Sequence, residues 1–246
     1  MIKSHFDELY DIVIPLSNES LFEHWELRIA LRSIERYAEK CGNIYVVSDN
    51  PPSWLRNVKT VNFPDRHRHN KDANIIDKLL AVTAMEELSE KFLFWSDDQT
   101  ALQKFRCSAL YPVHNPRNQM AFHGKKVWHR RMLKTFEYLD QQGCKLNWNW
   151  DSHTPQPMNK ALFKRLMGSV NYVPEPGFCI NTLYFGLQNT KPLLPQHLIK
   201  VTIEQAHKLK TLPENKLFIG YNDRGLQGNL KQLLQERFPL PSRFEA

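Results

Sequence analysis

The sequence predicts an α/β protein, a mostly parallel sheet flanked by helices with a less regular C-terminal half. Three observations predict it. Short apolar, β-branched runs recur through residues 1–105. They alternate with two stretches of helical spacing, the order that crossover connections require. At 246 residues, with 41% hydrophobic and 24% charged, the chain has the composition of a globular protein large enough to bury a core.

Each element has its own warrant. Residues 10–16 (YDIVIPL) read as a buried first strand, bounded by Asp11 and by Pro15 with Ser17 and Asn18. Residues 25–41 carry one apolar stripe, Leu27, Ala30, Leu31, Ile34, Tyr37 and Ala38, and Gly42 stands where a helix ends. Residues 43–49 (NIYVVSD) read as a second strand closed by Asn50-Pro51-Pro52, and 58–63 as a third. After the polar stretch 64–71, Asp72 is placed to cap a helix reaching about Leu88. Residues 92–95 (FLFW) read as a buried strand ending at Ser96-Asp97-Asp98. Beyond it we expect a short strand within 117–124, a helix over 126–142, an aromatic segment over 146–152 and a short helix over 159–167. Residues 178–185 read as a strand or a buried helix, 216–221 as a late strand ending at Asn222-Asp223, and 226–238 as an amphipathic helix.

A net charge of +7 and a pI near 9.2 suit an anionic partner, such as a nucleotide, a nucleic acid or an acidic membrane surface. No nucleic-acid recognition motif accompanies the charge, so we expect no nucleic-acid partner. The four cysteines, Cys41, Cys107, Cys144 and Cys179, are widely spaced without a CxxC pair. Reduced thiols are the simplest expectation, with neither structural zinc nor a disulfide scaffold. Residues 1–8 lack the apolar core of a signal peptide, and no apolar run has the length of a membrane span. The expected location is therefore cytoplasmic, with peripheral contact at the inner face of a membrane open to so basic a chain.

The chemistry is expected where strands end. Asp97 and Asp98 either open a turn or hold a divalent cation, since Mg²⁺ and Mn²⁺ take hard oxygen ligands and borrow others from substrate phosphates. Ligands of open α/β sheets sit outside the carboxyl ends of strands. Asn222-Asp223 ends a late strand in the same manner, so two acidic strand ends would converge on one cleft. His153 follows an aromatic stretch that includes Trp148, Trp150 and Asp151, with Trp128 upstream; it reads as a metal ligand, an acid/base group or a structural histidine. The basic run Arg66-His67-Arg68-His69-Asn70-Lys71 reads as a phosphate-gripping loop or a solvated one. Arg28 and Arg32 share a helix face; either they pair with Glu26 and Glu35 or face solvent, or Arg28 contacts a diphosphate or sugar. Walker and GxGxxG motifs are absent, which disfavours P-loop and Rossmann chemistry.

Four stretches, in order, resemble a known family. Glu26-Leu27-Arg28, Leu31-Arg32-Ser33-Ile34-Glu35 and Tyr37-Ala38, followed by Asn43 through Asn50 and Pro52-Ser53-Trp54-Leu55, resemble the ELRYSLRSIEKYAP…IYIVTDNQ…PSWL stretch of stealth-type sugar-phosphate transferases. Ser89-Glu90-Lys91-Phe92 through Asp98 is similar to their SEKFLYFNDD, His153-Thr154-Pro155 to their His-x-Pro block, and Phe218 through Asp223 to their block ending in Asn-Asp. The opening strand, Asp11 through Ser17, lacks the family's WVDG and is similar to that of nucleotide-sugar glycosyltransferases of the GT-A fold.

The resemblance implies a single GT-A-like domain, with residues 1–105 binding a nucleotide sugar and 106–246 the acceptor. It implies a metal-dependent hexosyltransferase moving a sugar from a nucleotide sugar, UDP-linked by expectation, to a glycan or lipid-linked glycan acceptor in bacterial surface polysaccharide synthesis. Mn²⁺ or Mg²⁺ would sit on Asp97, Asp98 and His153. Pro15, Leu16, Ser17 and Asp49 would line the nucleoside pocket, with Arg28, Lys71 and Lys78 on phosphates. Asp223, then Asp151, would be the base if the reaction inverts, and His153 would also contact the reacting groups. The alternatives are a sugar-1-phosphate transferase releasing UMP, a basic nucleic-acid-binding protein, and a silent glycan-binding subunit.

Overall fold

A computed structural model of the protein describes residues 8–18, 20–117 and 125–246. The fold is mixed α/β and contains parallel sheet. The principal sheet has five strands: β1 (Tyr10–Pro15), β3 (Cys41–Ser48), β4 (Lys59–Asn62), β5 (Lys91–Phe94) and β10 (Gln156–Asn159), in the order β10-β5-β1-β3-β4. β1 is parallel to β3 and β5, and β3 to β4; β10 runs antiparallel along β5.

The alternation along β1 decides where the helices go. Ile12 and Ile14 pack with Leu27, Leu31 and Ile34 of α1 (Trp25–Tyr37), whereas Val13 packs with Ile76, Leu79 and Val82 of α2 (Lys71–Thr83). The two crossover helices therefore cover opposite faces of the sheet. After β1 the chain moves to β3 and β4 on one side, then returns through α2 to β5 on the other. The strand order thus reverses between β1 and β5, where open α/β sheets hold ligands.

The helix limits differ from expectation for local reasons. α1 stops at Tyr37, because Ala38 and Glu39 form a short strand, β2, paired with β7 (Phe105–Arg106). The left-handed residue that follows is Lys40 (φ 56°), and Gly42 lies inside β3. A side chain at Gly42 would collide with the Asp11 carboxylate, which accepts from the amides of Asn43 (2.6 Å) and Ser89 (2.7 Å). α2 is capped by Asn70, not Asp72, and ends at Thr83. Asp72 instead pairs with Arg131 at 2.6 Å.

The second half wraps the sheet with small pieces. β6 (Gln99–Ala101) pairs antiparallel with β13 (Phe218–Gly220), and β13 pairs with β12 (Lys200–Val201). β8 (Val113–Pro116) joins β9 (Trp148–Asn149) and β11 (Leu194–Pro195). Helices α3 (Val127–Gln141), α4 (Lys160–Gly168) and α5 (Ile180–Leu187) pack on the α2 side, so residues 178–185 are mostly buried helix. Short α6 (Gln196–Ile199) and α7 (Ile203–Ala206) precede β13, and the tail forms two helices, α8 (Asp223–Leu226) and α9 (Asn229–Arg237), separated at Gly228. Of the strand expected within 117–124, residues 118–124 lie outside the described residues.

The expectation of reduced thiols is corrected. Cys41 and Cys107 form a disulfide across 66 positions, tying the start of β3 to the segment after β7; Cys144 and Cys179 are free. Wide spacing carries no information about pairing once the fold brings two segments together. Among the described residues no helix is long and apolar enough to cross a membrane.

Candidate functional site

The register of the sheet assembles the site. β5 aligns with β1 as Asp11 with Phe92 and Val13 with Phe94, and Trp95 N–H continues the ladder to Val13 O at 3.0 Å. Asp97 and Asp98 therefore leave the sheet beside Pro15-Leu16-Ser17 at the strand reversal. A tight turn holds them: Gln99 N–H donates to Ser96 O (3.2 Å), Ser96 N–H to the Gln99 side chain (3.2 Å) and the Trp95 indole to Gln99 O (2.9 Å). The turn and the acidic pair are one structure.

β10 brings the histidine. It pairs Gln156 with Phe94 antiparallel, so the register carried outward sets residue 153 opposite residue 97. His153 Nε2 lies 3.1 Å from Asp98 Oδ2 and 3.3 Å from Tyr221 O. Its backbone is left-handed (φ 53°), a strained conformation for this residue type. Gly220 makes room, since a Cβ there would meet the His153 ring and carbonyl. The β6–β13 pairing sets Gly220 opposite Gln99 and Tyr221 N–H on Asp98 O (3.1 Å), which delivers Asn222-Asp223 to the same edge. The two acidic strand ends do converge.

The electrostatics are crowded. Burial pushes the Asp97 carboxyl up to about 7, and the charges of Asp98 and Glu26 add to it. Burial works against a charged His153, but Asp98 outweighs it by charge and hydrogen bond, so the ring holds its proton more tightly than usual. Asp98 Oδ1 is buried and has no hydrogen-bond partner among the described residues. An orphaned carboxylate oxygen beside a second carboxylate is a costly arrangement that a hard cation relieves. Among the described residues no three His, Cys, Asp or Glu side chains form a ready metal cage. Mg²⁺ needs none, because it uses one or two carboxylates and completes its shell with water and phosphate oxygens. Asp97 and Asp98 fit that role, with His153 orienting Asp98.

A cavity of about 290 Å³ opens at the end of β1, lined by Pro15, Leu16, Ser17, Lys71 and Lys78 together with the 65–68 loop. Five of the residues expected to hold a nucleotide thus share one recess. Lys78 is buried and committed, donating to Leu16 O (2.7 Å) and pairing with Asp65 (2.6 Å), so it ties α2 to the end of β1. Asp49 lies nearby and accepts from the Asn18 amide.

Other expected residues are engaged elsewhere. Arg28 pairs with Glu245 at 3.0 Å and stacks on Trp54, and Arg32 grips the same Glu245 through two hydrogen bonds of 2.8 Å. The expected partner Glu26 takes a hydrogen bond from Ser20 (3.1 Å) instead. Arg28, expected on a phosphate, thus has its guanidinium bound to the C-terminal segment. Asp151 accepts from the Trp128 indole, and Asp223 is exposed in the first turn of α8.

Sequence reasoning missed three features. Glu26 is a buried acid whose carboxyl is pushed up by burial, with Asp223 and Asp98 adding to the push. In the sequence it reads as a partner for Arg28 and Arg32 on the same helix, which hides its burial. Lys200 is buried, donates to His153 O (3.4 Å) and is brought down to about 8 by burial, against the pull of Asp151 and Asp98. His67 Nε2 lies 3.1 Å from Asp77 Oδ2, while the Tyr172 hydroxyl donates to Asp77 Oδ1 at 2.6 Å. The i to i+10 spacing of His67 and Asp77, and Tyr172 ninety-five positions on, leave no local signal. No protein-family model matches the sequence, and no curated protein matches it.

Proposed function

We propose that the protein is a metal-dependent glycosyltransferase of GT-A-like arrangement that moves a sugar from a nucleotide sugar to a glycan acceptor. The observation that carries this reading is Asp98 Oδ1, without a hydrogen-bond partner among the described residues, at the end of the strand that pairs with β1, where a basic recess opens. A nucleoside diphosphate brings what both halves lack: oxygens for a shared cation and anionic charge for the recess. The resemblance of the 89–98 and 153–155 stretches to stealth-type enzymes points the same way.

Asp97 and Asp98 would hold Mn²⁺ or Mg²⁺, which when bound neutralises charge on the departing nucleotide. His153, anchored by its own strained turn, keeps Asp98 oriented; its carbonyl is braced by Lys200. Pro15, Leu16, Ser17 and Lys71 wall the recess, and Lys78 keeps the end of β1 in place. Of the two expected bases, Asp223 is open to an incoming hydroxyl, while Asp151 already holds the Trp128 indole.

The test is release of nucleotide from a panel of nucleotide sugars, with Mn²⁺ and with EDTA, for wild type and Asp98→Asn. We expect the rate to fall at least about a hundredfold in EDTA and in the variant, the scale of losing a preorganised charge. Undiminished turnover in either would end the metal role. The nucleotide released decides the rival chemistry: UDP means sugar transfer, UMP means sugar-phosphate transfer.

A further inference from the structure

We infer that His67, held by Asp77 and Tyr172, is a phosphate-binding residue of the recess beside β1, and that Asp77 and Tyr172 act by positioning it. The inference deepens the proposed function, and rests on it for the nucleotide but not for the anion.

The geometry is that of an oriented imidazole. Asp77 uses one carboxylate oxygen for the Tyr172 hydroxyl and the other for His67 Nε2, so neither Asp77 nor the ring is free to turn. Both side chains are mostly buried, at 19% and 14% exposure. The backbone is fixed as well. Asn74 Oδ1 accepts from the amides of Arg66 (2.9 Å) and His67 (2.8 Å), and Asn74 Nδ2 donates to His67 O (3.0 Å). A surface loop that only met solvent would not need so many ties.

Tyr172 is delivered by a separate lock. Asn70 caps α2 with its side-chain oxygen and donates from its nitrogen to Tyr172 O (3.1 Å) and Val173 O (3.0 Å). Gly177, at φ 85°, lets the 172–177 turn lie on Asn70, where any Cβ would collide with that side chain.

The recess that His67 lines is cationic. Lys78 and Asp65 neutralise each other, and Arg66 and Arg68 add positive charge to the lining in the loop just ahead of a 13-residue helix. Backbone N–H groups at a helix start favour anions. With Nε2 bound to Asp77, Nδ1 is the ring atom left for a ligand. A protonated imidazole donates from both nitrogens, so one can face a carboxylate and the other an oxyanion. The charged groups around it are Asp77, Asp65, Arg66, Arg68, Lys71 and Lys78, with the Tyr172 phenol behind.

The experiment is calorimetric titration of the full chain in EDTA with inorganic pyrophosphate, UDP and uridine. Wild type should bind pyrophosphate and UDP, and uridine more weakly. His67→Ala should weaken both anions about tenfold and leave uridine unchanged. His67→Asn serves should the alanine variant unfold. Asp77→Asn should weaken pyrophosphate with His67 present and have no effect in the His67→Ala background, the non-additivity expected of a residue acting through another. Unchanged pyrophosphate affinity in both His67 variants overturns the inference, and so does a wild type that binds neither anion. Anion binding through His67 without turnover of any nucleotide sugar sinks the proposed function and leaves the inference standing. Turnover that both His67 variants retain in full does the reverse.

Discussion

Glu245 shows how a single carboxylate governs a distant segment. It accepts from Arg28 and Arg32, its own neighbour Ser242 donates to it twice, and its side chain is fully buried. Burial alone would raise the carboxyl, but Arg32, Ser242 and Arg28 hold it down at about 2, against an ordinary 4.5. A lowered folded-state pKa stabilises above the ordinary value and is lost as pH falls toward 2. Glu245→Gln should therefore lower the unfolding free energy by about 3 kcal/mol at pH 7, and the difference should close as the pH approaches 2. Urea unfolding at several pH values reads both. Asp97, Asp98 and His153 were visible in the sequence because polar side chains directly after an apolar run, or after an aromatic one, have few structural reasons to be there. Glu245, Lys200 and the His67 relay were not, since their meaning lies in partners far along the chain.

At the scale of elements, Asn70 joins local and long-range order. As the cap of α2 it satisfies an orphan amide, and it also secures the 172–177 turn through Tyr172 and Val173. A cap alone is worth about 1 kcal/mol, and the two further hydrogen bonds raise the stake. Asn70→Ala should cost about 2–3 kcal/mol by chemical denaturation, and Asn70→Asp less, because the cap oxygen survives. The parallel strands and their two crossover helices were readable from periodicity, since each buries a regular pattern. β10 was not: Gln156-Pro157-Met158-Asn159 has neither β-branched residues nor an apolar run, and it becomes a strand only because β5 offers an open edge. Asp72 lost the cap to Asn70 because Arg131 claims its carboxylate.

For the whole molecule, the Cys41–Cys107 link matters most. It closes a loop of 66 positions between the principal sheet and the segment after β7. Restricting the unfolded chain over such a loop is worth about 4 kcal/mol in the chain-entropy account. The Cys41→Ser, Cys107→Ser variant and the dithiothreitol-treated protein should both melt at lower temperature, by similar amounts. An unchanged melting point would place the two sulfurs apart in solution.

The edge position of β10 has one more outcome. Among the described residues the strand pairs with a neighbour on one side alone, β5, and it carries His153 on the approach to it. Edge elements open at lower free energy than the core. Fraying of four residues would unseat the histidine while β1, β3 and β5 stay intact. Amides of 156–159 should then exchange with deuterium well before those of β1, and an added segment able to pair with the bared side of β5 would silence the cleft without melting the protein.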